Sequence, residues 1–129
     1  MVKRVVINRS VIDSILTFGK IQYPKEGILI LRGTTSKDEI HINEVVVPPS
    51  AIRGYGFSAF PPYMLPMDQS LMGTAHSHPS GALRPSTGDL NSFYGRILVI
   101  TAYPFDSEEY LAVFDKDGRN VKYGIVNDE

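Results

Sequence analysis

The spacing of apolar positions changes repeatedly along the chain. Residues 2–8 are rich in β-branched apolar side chains (Val2, Val5, Val6, Ile7) and predict a first strand. Val11, Ile12, Ile15, Leu16 and Phe18 then recur at helical spacing. Ser10-x-x-Asp13 has the form of a capping box and Gly19 the form of a C-terminal stop, so residues 10–18 predict a helix with one apolar face. Tyr23-Pro24-Lys25 breaks that pattern. Ile28-Leu29-Ile30-Leu31 has no polar gap, which predicts a strand buried on both faces. Residues 33–38 are polar and turn-like. Residues 39–47 alternate loosely and predict a strand hairpin-paired with the one before, ended by Pro48-Pro49.

Residues 50–68 lose all period. Gly54, Gly56, Pro61, Pro62 and Pro66 alternate with Tyr55, Phe57, Phe60, Tyr63, Met64 and Leu65. So long a connection reads either as an apolar lid over one edge of the core or as a substrate-contacting loop. Regular patterns then return: a strand at residues 71–78, a helix at 86–94 ended near Gly95, and a strand at 96–103 around Ile97-Leu98-Val99-Ile100. Two further strands, at 110–114 and 119–126, flank the hairpin signal Asp115-Lys116-Asp117-Gly118. The order β-α-β-β-β-α-β-β-β, without repeat or linker, implies one α/β domain over residues 1–129. Its sheet is mixed or mostly antiparallel, with helices packed against it.

Composition narrows the chemistry. Of 129 residues, 43% are hydrophobic and 21% charged, which suits a globular chain able to bury a core. The formal net charge is −1 and no like-charge run stands out, so neither nucleic acid nor an anionic membrane is an expected partner. There is no cysteine, which removes disulfides, thiolate nucleophiles and Cys-based zinc sites together. Any metal must be held by His, Asp or Glu. The first residues lack the apolar stretch of a signal peptide and no apolar run approaches membrane-spanning length, so a cytoplasmic location is expected.

The candidate chemistry lies in His76-Ser77-His78-Pro79 and Ser86-Thr87-Gly88-Asp89. Histidines at i and i+2 of a strand share a face, and Pro79 ends the strand beside them. Ser86 is suited to cap the next helix, with Asp89 at its third position. A loop folded back would bring that carboxylate to the two imidazoles. Two nitrogens, one oxygen and an open position match catalytic zinc, which lowers the pKa of its water to about 7. The helix dipole would help keep Asp89 ionised. Glu26, at the mouth of the buried strand, is a candidate general base, although by spacing alone Glu39 and Glu44 qualify as well. Ser86 could hydrogen-bond a developing oxyanion. The same four residues also form an ordinary capping box, and Asp89 is not expected both to cap its helix well and to ligate a metal. His41 has no partner nearby in sequence and reads as structural.

Glu26-Gly-Ile-Leu, His76-x-His78-Pro79 and Ser86-x-x-Asp89 together resemble the JAMM (MPN+/JAB) zinc metalloprotease family, in its compact prokaryotic and archaeal form. The resemblance implies the MPN/JAMM, cytidine-deaminase-like fold, with a mixed central sheet flanked by helices. It implies one Zn2+ per chain on His76, His78 and Asp89, with Glu26 as acid/base and Ser86 supporting the tetrahedral intermediate. It further implies cleavage of isopeptide or peptide bonds after the C-terminal tail of ubiquitin-like proteins, with such a protein or its conjugate as the partner. The string also resembles the RadC branch of the superfamily, whose members carry an extra helical region. Two rival functions stand beside this one: trimming a sulfur-carrier protein, and a non-catalytic MPN scaffold. Nothing in the chain excludes a homodimer.

Overall fold

The computed structural model describes residues 4–48 and 69–128. Their elements run β1 (Arg4–Asn8), α1 (Arg9–Gln22), β2 (Ile28–Thr35), β3 (Glu39–Val46), β4 (Leu71–His78), α2 (Thr87–Asn91), β5 (Ile97–Ala102), β6 (Leu111–Phe114), β7 (Asn120–Val121) and β8 (Tyr123–Val126). All eight strands join one mixed sheet in the order β7-β6-β5-β4-β2-β3-β1-β8. β1 runs parallel to β3 and β8, and β4 parallel to β5; the other pairs are antiparallel. In a flat sheet the outer strands β7 and β8 would lie about 34 Å apart. Here only Lys122 separates them in sequence, so the sheet curls until its edges are within one residue's reach.

Alternation along the central strands builds two cores. Leu29 and Leu31 of β2, Ala75 of β4, and Ile97 and Val99 of β5 face α1, which inserts Val11, Ile12, Ile15 and Leu16. Ile28 and Ile30 point the other way, as do Leu98 and Ile100, which pack with Phe114, Leu83 and Leu90. The unbroken aliphatic run of β2 is therefore buried on both faces, as its pattern predicts. Each such side chain contributes about 1.5–3 kcal/mol on leaving water. β2 and β3 form the expected antiparallel pair. The turn at Asp115–Gly118 closes, with the Gly118 amide donating to the Asp115 carbonyl at 3.0 Å.

Several expectations about element ends are corrected. Ser10 and Asp13 do not form a capping box; Asn8 is the N-cap of α1 and makes no side-chain cap bond. The acceptor comes from the far end of the chain, where the Asp128 carboxylate takes hydrogen bonds from the Ser10 amide (3.0 Å) and hydroxyl (2.6 Å). Gly19 does not stop α1, which runs to Gln22. It is small for packing: a Cβ there would lie 2.5 Å from the buried Phe105 ring. α2 ends at Asn91, well before Gly95, because Asn91 and Ser92 favour caps over helix interior. The last predicted strand divides at Lys122 into β7 and β8, on opposite edges. Among the described residues no helix is long and apolar enough to cross a membrane. The irregular stretch at residues 50–68 lies outside the described residues.

Candidate metal centre

β4 sits between β2 and β5, so both its edges are hydrogen-bonded, and from Met72 to His78 its residues are buried. Thr74, His76 and His78 share one face at its C-terminal half, and all are buried. Thr74 Oγ1 lies 3.3 Å from Nε2 of His76. His78 Nδ1 lies 2.8 Å from the Ala82 carbonyl oxygen. A carbonyl can only accept, so Nδ1 carries the hydrogen, and in the neutral ring Nε2 is a bare lone pair. That lone pair is what a metal requires.

Asp89 enters from the start of α2 and is 1% exposed. Ser86 Oγ accepts from the Asp89 amide at 3.0 Å, and Asp89 Oδ2 accepts from the Ser86 amide at 2.9 Å. The capping box is therefore complete, and the same carboxylate reaches both imidazoles. Oδ2 lies 2.9 Å from His78 Nε2. Oδ1 lies 3.0 Å from His76 Nδ1, yet both atoms are buried without a hydrogen-bond partner. Capping and contact with both imidazoles thus coexist in one carboxylate: Oδ2 caps the helix and meets His78, while Oδ1 faces His76. Ser86 Oγ keeps its hydroxyl hydrogen, committed to no acceptor among the described residues.

Electrostatics follow from this packing. Burial works to raise the pKa of Asp89, but the two imidazoles and the Ser86 amide outweigh it and hold the carboxyl well below the usual range. Burial works to lower the pKa of His78. The Asp89 hydrogen bond, the Ala82 carbonyl and the charges of Asp89 and Glu26 outweigh that and push it up. The centre is therefore an anionic Asp89 that favours a proton on His78. The described residues hold no group of three donors already set about one common point. Asp89 bridges the imidazoles pairwise, and a metal would replace that bridge. The donor set fits one: two imidazole nitrogens and a carboxylate suit zinc, and a buried Nδ1 facing a buried Oδ1 without a hydrogen bond is a pair that a cation would satisfy.

Glu26 is placed by a residue that sequence reasoning passed over. Ser77, between the histidines, points to the opposite face and is 1% exposed. Its Oγ accepts from the Gly27 amide at 2.9 Å, and its own amide donates to the Gly27 carbonyl at 3.0 Å. These two hydrogen bonds pin Glu26-Gly27 beside the end of β4. Gly27 must be small, since a Cβ would lie 2.6 Å from the Phe18 ring. Glu26 itself is exposed and lines a cleft of about 280 Å³ with His78, Ser80, Ala82, Arg84, Pro85 and Ser86. Glu39 and Glu44, the other candidate bases, lie on β3 away from this cleft, and Glu44 faces Arg32 at 3.7 Å. His41 is on β3 as well, with Nε2 2.6 Å from Asn8 Oδ1. The roles of Ser77 and Ala82 depend on strand pairing and a loop closure that carry no local signal.

A curled mixed sheet, a His-x-His at the end of a central strand and a carboxylate at the next helix start define a JAMM-type, metalloprotease-like site. Residues 8–114 match the family described as prokaryotic homologs of the JAB domain, and the chain belongs to that family. It is 30% identical over 103 residues to a protein of Haloferax volcanii named a probable metalloprotease, covering 74% of this chain and 63% of that relative. The match thus spans under two thirds of the relative's length. A JAB1/MPN domain protein from Archaeoglobus fulgidus superposes with a TM-score of 0.70 at 30% identity, over 93% of this chain and 97% of its own. A structure described as a JAMM metalloprotease-like zinc site in the proteasome and signalosome gives 0.67 at 29% identity, over 98% and 99%. These similarities show the MPN/JAMM fold for this chain, and the metalloprotease-like relatives imply a zinc site.

Proposed function

We propose that this chain is a cytoplasmic zinc metalloprotease that hydrolyses isopeptide or peptide bonds following the C-terminal tail of a ubiquitin-like protein. One Zn2+ per chain would be held by His76, His78 and Asp89. The observation that carries this reading is the buried pair His76 Nδ1 and Asp89 Oδ1, 3.0 Å apart with no hydrogen bond formed, next to His78, which lines a cleft with Glu26 and Ser86. Zinc bound there would supply Lewis acidity, polarising the scissile carbonyl and making water a better nucleophile at neutral pH.

The chain's own residues do the rest. Glu26 takes a proton from the attacking water as its oxygen bonds the carbonyl carbon, and returns a proton to the amine as the carbon–nitrogen bond breaks. Ser86, whose oxygen already accepts from the Asp89 amide, donates its free hydroxyl hydrogen to the carbonyl oxygen as charge builds there. The Ala82 carbonyl keeps the His78 hydrogen on Nδ1. Ser77 keeps Glu26 over the centre. The choice of a ubiquitin-like substrate rests on the motif's resemblance to JAMM enzymes.

The test is incubation of metal-loaded protein with ubiquitin-like conjugates, with and without chelator, alongside Glu26→Gln. The reading expects chelator-sensitive cleavage, and a variant that retains metal but loses turnover. Trimming of a C-terminally extended sulfur carrier, with conjugates untouched, would replace the substrate. Absence of both metal and cleavage would leave an interaction scaffold.

A further inference from the structure

Arg84 is the cleft residue that the proposed chemistry leaves without work. Its position is fixed more tightly than an exposed arginine on a loop would suggest. Two residues before it, the Ala82 carbonyl holds His78; two residues after it, the Ser86 amide is held by Asp89. Between these anchors Leu83 packs into the core formed by Leu98, Ile100 and Phe114. Pro85 has a locked φ and restricts Arg84 to extended backbone. The chain is thus tied down on both sides of Arg84, and its side chain lines the cleft with Glu26 and Ser86.

The guanidinium is also uncommitted. Among the described residues it has neither an ion pair nor a hydrogen-bond partner, whereas Arg9 and Arg32 both face carboxylates. At the mouth of the cleft Glu26 repels anions. With Arg84, one place beside the reacting bond accepts an anion, and a planar fork of donors suits a carboxylate best. The cleft, at about 280 Å³, lies at the small end of ligand sites, roughly 300–1,000 Å³, so the group it reads must belong to a residue next to the scissile bond.

We infer that Arg84 is a specificity-determining residue that binds a carboxylate carried by a residue flanking the scissile bond. Two peptide sources offer that chemistry: the free α-carboxylate of a terminal residue being released, and an acidic side chain. The inference deepens the peptidase reading and rests on it for the word substrate, but its binding arm does not need turnover.

Three acetylated dipeptide probes separate the cases: one with a free C-terminal carboxylate, its carboxamide, and a carboxamide carrying a glutamate side chain. Binding to metal-free wild type and Arg84→Gln is followed by amide chemical-shift titration. The wild type should favour at least one carboxylate probe over the neutral amide by about tenfold or more, as for a charge-assisted hydrogen bond, and Arg84→Gln should erase the preference. Arg84→Lys should keep part of it. Which probe is favoured names the source. In the metal-loaded protein the same variant should raise KM for the matching peptide more than it lowers kcat. Preference for a carboxylate in binding, without any cleavage, would sustain Arg84 and defeat the peptidase reading. Equal binding of all probes by the wild type, or equal weakening of all by Arg84→Gln, would overturn the inference.

Discussion

Replacing Ser77 by alanine removes one oxygen atom, and the structure says what that atom does. The Gly27 amide, buried between β4 and the Phe18 ring, loses its acceptor at 2.9 Å, while the reciprocal bond from the Ser77 amide to the Gly27 carbonyl remains. A buried donor left unpaired costs about 1–3 kcal/mol, so a loss near 2 kcal/mol is expected. In a domain of this size that corresponds to a fall of about 6–10 °C in Tm. The same change loosens the segment carrying Glu26 without touching His76, His78 or Asp89. Ser77→Ala should therefore bind zinc as the wild type does, with kcat reduced more than tenfold. Thermal unfolding in chelator, metal analysis and steady-state kinetics on one preparation read all three. A variant as stable as the wild type with full turnover would refute the claim that Ser77 positions Glu26. Loss of zinc would mean that Ser77 shapes the ligands instead.

Three further outcomes follow from the same geometry. Asp89→Ala should lower metal-free stability by about 3–5 kcal/mol, because it strips a buried partner from His78 and leaves the Ser86 amide without its acceptor in the capping box; urea unfolding in chelator measures it. In chelator the wild type should also show a two-sided pH dependence. His78 is raised above its unfolded value of about 6.5, so its contribution is full below that pH and is lost as pH rises through its folded pKa. Asp89 is lowered, so its contribution is present above about pH 3.9 and is lost as pH falls. A Tm that holds or rises from about pH 6 to pH 9 would contradict this pairing. Gly19→Ala should destabilise by about 1–3 kcal/mol although alanine is the better helix former, since its methyl would meet the buried Phe105 ring; a rise in Tm would show that the ring yields freely.

What could be read from the sequence was what is written locally. β4 falls at the span its pattern predicts, and its two histidines share a face because a strand has a period of two. Ser86 caps α2 as its type and spacing suggest. The aliphatic run at Ile28–Leu31 declares its two buried faces. What could not be read depends on residues far apart in the chain. Asp128 reaches across the protein to the start of α1, so Ser10 and Asp13 misled. Gly19 looks like a stop until the Phe105 ring is seen against it. The strand predicted over residues 119–126 breaks at Lys122 because the curled sheet puts its two halves on opposite edges. Glu26 was one of three carboxylates until the pairing of Gly27 with Ser77 brought it to the cleft.

The most direct measurement is zinc-edge anomalous diffraction from crystals grown with zinc, paired with metal titration of single variants. One zinc per chain is predicted, touching His76, His78 and Asp89. Binding should be lost in alanine variants of those three and kept in Glu26→Gln and Ser86→Ala. A chain saturated with zinc whose anomalous peak lies elsewhere, with His78 still bonded to Asp89, would contradict the assignment outright.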